Sequence, residues 1–325
     1  MRNDIRDKRI LITGSSGFVG LHLYNKLLSK GCKNIKVIKR YSLAGTNYND
    51  LRDTPTVKEI FSSCKPDIVF HLAAKVGGLI ANDKYKEEFY YDNTLINTNV
   101  VHEAYVNNVE RFIAIGTGCS YSEDDCNNNV LTEDKILDGI PRWEHAPYAY
   151  SKRNMLIHLK AITETNDMTY AFCVPANIYG QHDDFDLESS HVMASLIRRI
   201  VTAKDSDKEY VGIIGSVKAE RDFIYIKDFI DALYDICTLS NTNDVFNIAT
   251  GKLTSINEVI NIICEYVNFN GKINLLNKIQ EGQNKRIFSV EKLNNLGWVE
   301  KYNIKYGISR TIDWYRDWCK RKMQI

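Results

Sequence analysis

Tyr148 and Lys152 stand four residues apart in the string APYAYSKRN, and on a helix both side chains would share one face. An ammonium beside a phenol favours phenolate and lowers the phenol from its usual value of about 10. Such a tyrosine can give its proton to a ketone that is receiving hydride. Tyr150 is the rival phenol, but the residue four positions on is Asn154, not a lysine. A second group of reactive types lies in GTGCSY, residues 116–121, where Thr117, Cys119 and Ser120 follow the apolar run RFIAI. If 117–119 are extended, the Thr117 hydroxyl and the Cys119 thiol face one side and Ser120 the other. The thiol then faces whatever the threonine faces.

The elements around these residues alternate. RILIT (9–13) reads as a strand, followed by a glycine turn and a helical stretch over 19–31. Strands are predicted at 34–40, 67–74, 111–117 and 169–175, and helices at 56–64, 93–108 and 148–165. This order argues for an α/β fold with a parallel sheet covered on both faces. After Pro175 the pattern loosens, and YVGIIG (210–215) belongs to a smaller lobe, while DVFNIA (244–249) suits a late strand of the main sheet. The expected division is 1–176 for a dinucleotide-binding domain and 177–325 for a smaller substrate domain interleaved with it.

Gly14, Gly17 and Gly20 follow the first strand and open the first helix. Glycines there permit a tight turn and close backbone approach to a pyrophosphate. Ser15, Phe18 and Val19 share that turn and complete the expected phosphate contacts. The spacing is GxxGxxG, and its position after the first strand carries the argument for a dinucleotide. An acid at the end of the second strand would favour NAD, but this chain has Lys39 and Arg40 there, which suit a 2′-phosphate. The expected cofactor is NADP(H).

The chain of 325 residues carries 42 basic and 41 acidic side chains, so no global field recruits nucleic acid or an anionic membrane. The N-terminus has no apolar signal core, and no stretch approaches the roughly 18 apolar residues of a membrane span. Eight cysteines form no CxxC pair and no zinc-like spacing, so no metal site is expected. They are expected as free thiols in a reducing cytoplasm.

TGxxGxxG, HLAA, the hydroxyl of Thr117 four residues before Tyr121, and YxxxK together resemble the extended short-chain dehydrogenase/reductase superfamily. Within it, AAKVGGLIANDKYKEEF (73–89), GCSY (118–121), PANIYGQHDDF (175–185) and SSHVMASLIRR (189–199) resemble the GDP-L-fucose synthase family. The likeness continues through ERDFIYIKDF, FNIATG and LNNLGW, and so covers nearly the whole chain. It implies a Rossmann-type doubly wound sheet and a GDP-linked 4-keto sugar, epimerised at C3 and C5 and reduced at C4.

The resemblance implies a reductive triad of Thr117, Tyr148 and Lys152, with Cys119 and His191 as proton carriers for the epimerisation. Threonine replaces the family's usual serine and keeps the hydroxyl. Further cofactor contacts are expected at Asp50 and Leu51, at Leu72, Ala73, Ala74 and Lys75, and at Pro175, Asn177 and Ile178. Arg199, Arg221 and either Lys285 or Arg286 are expected at the diphosphate and sugar, with Asn82 and Asn177 orienting substrate or cofactor edges. A homodimer through the 93–108 and 148–165 helices is implied as well. Single-step reduction, dehydrogenation or epimerisation of a related sugar such as a GDP-heptose stays open. A silent family member would have lost the Tyr/Lys pair or the glycines, and this chain keeps both.

Overall fold

The four residues Ile68–His71 are all buried, leaving the strand no polar face, as a sheet covered on both sides requires. In the computed structural model, which describes residues 3–39, 49–276 and 284–322, this strand sits near the middle of a six-stranded sheet. The strands are β1 (Arg9–Thr13), β2 (Asn34–Ile38), β3 (Ile68–His71), β4 (Arg111–Ile115), β5 (Thr169–Pro175) and β6 (Asp244–Ile248). Their order is β6-β5-β4-β3-β1-β2, and every neighbouring pair is parallel. The order reverses between β1 and β3, so a crevice opens at the carboxyl ends of those strands. Thr13, His71, Gly116 and Ala176 lie in or just beyond strands that point to that edge.

Six helices matter for the site: α1 (Phe18–Ser29), α2 (Thr54–Cys64), α3 (Lys86–Val106), α4 (Ala146–Thr163), α5 (Val192–Asp205) and α6 (Ile226–Leu239). α1 packs with α6, and α3 packs with α2 and α4. Helix α3 begins earlier than the apolar spacing indicates, because Glu87 and Glu88 occupy its first turn, where acids favour the helix dipole. Pro147 in the first turn of α4 has the same effect by its fixed φ. Asp53 caps α2, its carboxylate accepting from the Thr56 N–H at 3.0 Å.

The rest of the chain forms small sheets beside the carboxyl edge. Tyr210–Ile214 pairs with Lys272–Leu276, and Asn177–Tyr179 pairs with Phe223–Tyr225, both in parallel. Glu220–Arg221 lies between Thr254–Ser255 and Lys285–Arg286. One apolar core runs through both parts, from Ile12 in β1 to Ile263 in the helix Ile256–Val267. Among the described residues no helix is long and apolar enough to cross a membrane.

The turn after β1 leaves no space for side chains at two positions. Gly14 has φ +70°, and a Cβ there would meet the Ala73 backbone at 2.8 Å. A Cβ on Gly20 would lie 2.4 Å from the Gly14 carbonyl oxygen. Gly20→Ala should therefore lower the free energy of unfolding by about 1–3 kcal/mol. A lower urea midpoint at unchanged m-value is the expected readout; an unchanged midpoint would show that the turn has slack.

Candidate active site

The glycine turn is tied to the second strand by Ser15. Its N–H and its hydroxyl both donate to the Ile38 carbonyl, at 3.3 and 3.1 Å. That brings exposed Lys39, the next residue, beside the turn; Arg40 lies outside the described residues. Phe18 and Val19 open α1, half-buried at its N-terminal end. Asp50 is bound by Arg52, which also reaches Asp92 at 2.9 Å. Leu51 is buried, so only its backbone can face a ligand. Leu72, Ala73 and Ala74 run on from β3, and Lys75 ion-pairs with Glu88 and Asp92. Pro175 ends β5, and Ile178 follows it in the strand paired with Phe223–Tyr225.

Tyr148 and Lys152 project from the first two turns of α4. The Lys152 Nζ lies 6.0 Å from the centroid of the Tyr148 ring, and the lysine is 1% exposed. Burial alone lowers its ammonium from 10.5 to about 7. The phenol is raised, chiefly by burial and further by Cys119. This corrects the expectation that the ammonium lowers it: desolvation wins, and Tyr148 stays a protonated donor. Phe89 meets the Tyr148 ring edge-on at 6.1 Å.

Residues 117–119 are not extended. Thr117 is extended itself, but Gly118–Ser120 forms a turn of 3₁₀ helix, with the Thr117 hydroxyl accepting the Cys119 N–H at 3.2 Å. The rule of alternate faces therefore fails here. The Cys119 thiol instead meets Arg286, whose Nη1 lies 3.8 Å away. Ser120 is fully buried, and its carbonyl accepts from Arg153 Nε at 2.8 Å. Arg153, the residue after Lys152, also donates to the carbonyls of Asp138 and Gly139, at 2.6 and 2.9 Å. One guanidinium thus clamps α4 to the turn that carries Cys119.

The cations separate. Arg221 and Arg286 are register partners in the small sheet. Arg221 is pushed down to about 10 by burial and by Arg286. Lys285 is exposed, so Arg286 is the member of that pair that reaches the thiol. Arg199 is held elsewhere, by Ser195 Oγ and the Gly212 carbonyl, both at 3.3 Å. Asn177 donates to the Asp222 carbonyl at 2.9 Å, beside Arg221. Asn82 is turned inward, its amide donating to the carbonyls of Gly77 and Gly78 at 2.7 and 3.1 Å. It braces that loop.

His191 precedes α5 with its side chain open to solvent. Its crowded surroundings lower its imidazole, while Asp184 pulls the other way. The preceding Ser189 carbonyl accepts the Gly78 N–H at 2.8 Å, and a Cβ on Gly78 would sit 2.5 Å from the Ser190 carbonyl oxygen. The VGG segment therefore docks the loop carrying His191. Gly77, next to it, approaches Phe89 and through it Tyr148.

Residues outside the sequence reading complete the site. Arg142 and His145 precede α4; burial and the guanidiniums of Arg286, Arg142 and Arg221 hold His145 down to about 4. Asp222 is fully buried and accepts from the Thr250 N–H, the Thr250 hydroxyl and the Gly251 N–H at 2.7–3.0 Å. It locks Arg221 to the end of β6. The buried acid next to Arg221 in ERDF was the available signal. Arg142 and His145 carried none, because nothing local distinguishes them from loop residues. No group of three or more metal-ligating side chains gathers among the described residues.

Lys152 makes a checkable contribution to stability. The unfolded chain keeps that proton to pH 10.5 and the folded chain only to about 7, so stability at this group rises with pH across the window. Lys152→Met should be more stable than the wild type at pH 7, the gap closing towards pH 10 in urea titrations. A constant gap would mean the amine is not buried as a cation.

The family model described as the NAD dependent epimerase/dehydratase family matches residues 10–249. A GDP-L-fucose synthase of Sinorhizobium fredii is 31% identical over 94% of this chain and 95% of its own. Among solved structures, a GDP-L-fucose synthetase from Naegleria fowleri bound to NADP superposes with TM-score 0.85, at 26% identity, over 98% of this chain and 95% of that one. A GDP-D-glycero-L-gluco-heptose synthase from Campylobacter jejuni, in the presence of NADPH, gives 0.83 at 26% identity over 96% and 99%. With the glycine turn, the Tyr148–Lys152 pair and the parallel sheet in place, the chain belongs to the NAD dependent epimerase/dehydratase family.

Proposed function

We propose that this protein is an NADP(H)-dependent epimerase/reductase of a GDP-linked 4-keto sugar, inverting C3 and C5 and then reducing C4. One observation carries the reading. The buried Lys152 amine, lowered to about 7 by burial, stands 6.0 Å from the ring of a protonated Tyr148. The solved relatives with NADP and NADPH support the cofactor, and the GDP-sugars they act on support the substrate class.

The residues fit the cofactor. Gly14 and Gly20 leave the space that a Cβ would fill, and the free N–H groups at the start of α1 suit a pyrophosphate. Lys152 would hold the ribose hydroxyls next to the nicotinamide, and Lys39, with Arg40, the 2′-phosphate. Bound there, NADPH supplies the hydride for C4.

This chain's own groups do the remaining work. Tyr148 gives its proton to the C4 oxygen. Thr117 accepts the Cys119 N–H, which leaves its own hydroxyl hydrogen for the developing alkoxide. Epimerisation needs a proton taken from the carbon next to the ketone and one returned on the opposite face. Cys119 and His191 are the two carriers, and the depressed imidazole is neutral at pH 7. Arg221 and Arg286 hold the diphosphate, for which guanidinium forks are suited.

Likeness to the heptose synthase favours a second reading, in which the same site acts on a GDP-heptose. A homodimer through α3 and α4 belongs to this proposal too. Tyr91, Tyr105, Tyr150 and Ile157 are exposed on those two packed helices, and light scattering at the dimer mass checks it.

A panel of GDP-4-keto sugars, deoxyhexose and heptose, with NADPH and product stereochemistry read by NMR, tests the function directly. No reduced product from any member would overturn it. Tyr148→Phe should lower reduction at least 100-fold and leave NADPH affinity nearly unchanged; retained turnover would remove the tyrosine from its role. Cys119→Ser should stop solvent deuterium entering C3 and C5 while a pre-epimerised ketone is still reduced. Undiminished exchange would reduce Cys119 to packing.

A further inference from the structure

A line of buried polar groups crosses the core behind Lys152. It starts at Thr13, the last residue of β1 and the one before Gly14. It passes through His71 at the end of β3 and Asn97 in α3, and it ends on the carbonyl of Ser151, the residue before Lys152. Thr13, His71, Asn97 and Ser151 are 1%, 0%, 2% and 0% exposed. The Thr13 hydroxyl lies 2.8 Å from His71 Nδ1, His71 Nε2 lies 3.0 Å from Asn97 Oδ1, and Asn97 Nδ2 donates to the Ser151 carbonyl at 3.2 Å.

The chemistry of the ends fixes the direction of every bond. The Ser151 carbonyl can only accept, so the Asn97 amide must turn its nitrogen to it and its oxygen to His71. His71 therefore carries its proton on Nε2, which makes Nδ1 an acceptor, and the Thr13 hydroxyl must donate to it. The Thr13 oxygen in turn accepts the Ala73 N–H at 3.2 Å. Reversing any link would set two acceptors or two donors face to face in a dry interior, which costs about 1–3 kcal/mol per group. His71 stays neutral throughout, because burial and the Lys152 ammonium both oppose a second proton. A neutral ring is also what allows a lysine cation close by.

We propose that Thr13, His71 and Asn97 are positioning residues that couple the phosphate turn to the catalytic helix, holding Tyr148 and Lys152 in register with a cofactor bound at Gly14–Gly20. The inference rests on the Tyr148–Lys152 reading proposed above. The relay supplies no proton to the reaction: its work is geometric. Misplacement of about 1 Å at such a site costs on the order of 100-fold in rate. Arg153 clamps the same helix from its other side, so loss of the relay shifts the helix without unfolding it.

Thr13→Val is nearly isosteric and removes only the hydroxyl, Thr13→Ser restores it, and Asn97→Asp keeps the acceptor for His71 while losing the donor to Ser151. The probes are NADPH and GDP-4-keto-6-deoxymannose. In Thr13→Val and Asn97→Asp, kcat should fall roughly 10- to 100-fold with KM for the sugar within about twofold, and Thr13→Ser should recover most of it. Amide exchange gives a readout independent of the sugar. In the wild type, NADPH should slow exchange both in the turn 14–20 and in helix residues 148–156; in Thr13→Val the turn should still be protected and the helix not. Lower stability with unchanged kcat and helix protection in both variants would show an ordinary structural network and overturn the proposal. A variant too unstable to purify hands the decision to the other. A wild type that protects both segments with NADPH but reduces no sugar would sink the function and leave the coupling standing; one that binds no NADPH would sink both.

Discussion

An ammonium held in a dry place without a carboxylate governs this site. Lys152 is buried at the carboxyl edge of a parallel sheet, where taking an amine out of water is expensive. Its surroundings answer by staying neutral. His71 is kept unprotonated, Tyr148 is kept protonated, and the tyrosine ring stands 6.0 Å from the ammonium. Carbonyls and amides fix the helix instead of ion pairs: Asn97 reaches the Ser151 carbonyl from one side, and Arg153 reaches three carbonyls from the other. The result is an amine poised near neutral pH.

The second half of the site is cationic and comes from the smaller part of the chain. A short sheet sets Arg221 opposite Arg286, and Asp222 pins that sheet to the end of β6. The Arg286 guanidinium then touches the Cys119 thiol, which the 3₁₀ turn after β4 has rotated towards it. The thiol beside a buried cation lies close enough to the phenol beside the buried amine to act on it electrostatically. In the function proposed above, the guanidinium-lined side would serve proton transfer at carbon and the Tyr148 side proton delivery to oxygen. The wall carrying Tyr148 is nearly uncharged apart from one lysine, and the other is built on guanidiniums.

Much of this was legible from residue order because the signals are local. Strand and helix alternation follows from the two backbone periods, and the six strands of the main sheet lie within the runs that were expected, whereas the short strands of the smaller sheets, apart from Tyr210–Ile214, were not foreseen. The glycine turn needs only its three residues, and the four-residue spacing of Tyr148 and Lys152 needs only a helix. Where the chain departed from expectation, burial or a side-chain hydrogen bond that no period encodes was responsible. Burial and the Cys119 thiol raised the Tyr148 phenol, where a lowering by the lysine was expected. A cap bond from Thr117 turned an expected extension into a helical turn. The short helix that starts after Gly78 turned the Asn82 amide back onto the Gly77 and Gly78 carbonyls.

The sequence by itself therefore determined the sheet, the glycine turn and the placing of Tyr148 and Lys152 on one helix, since each depends on neighbours within a few positions. Tertiary structure alone decided that Arg286 rather than Lys285 meets Cys119, across 167 positions of chain, and that Arg199 stands apart from it. It alone drew Thr13, His71, Asn97 and Ser151 into one line behind Lys152. Hydrogen bonds between distant residues carry no period and no spacing. They exist only once the sheet has closed and water has left.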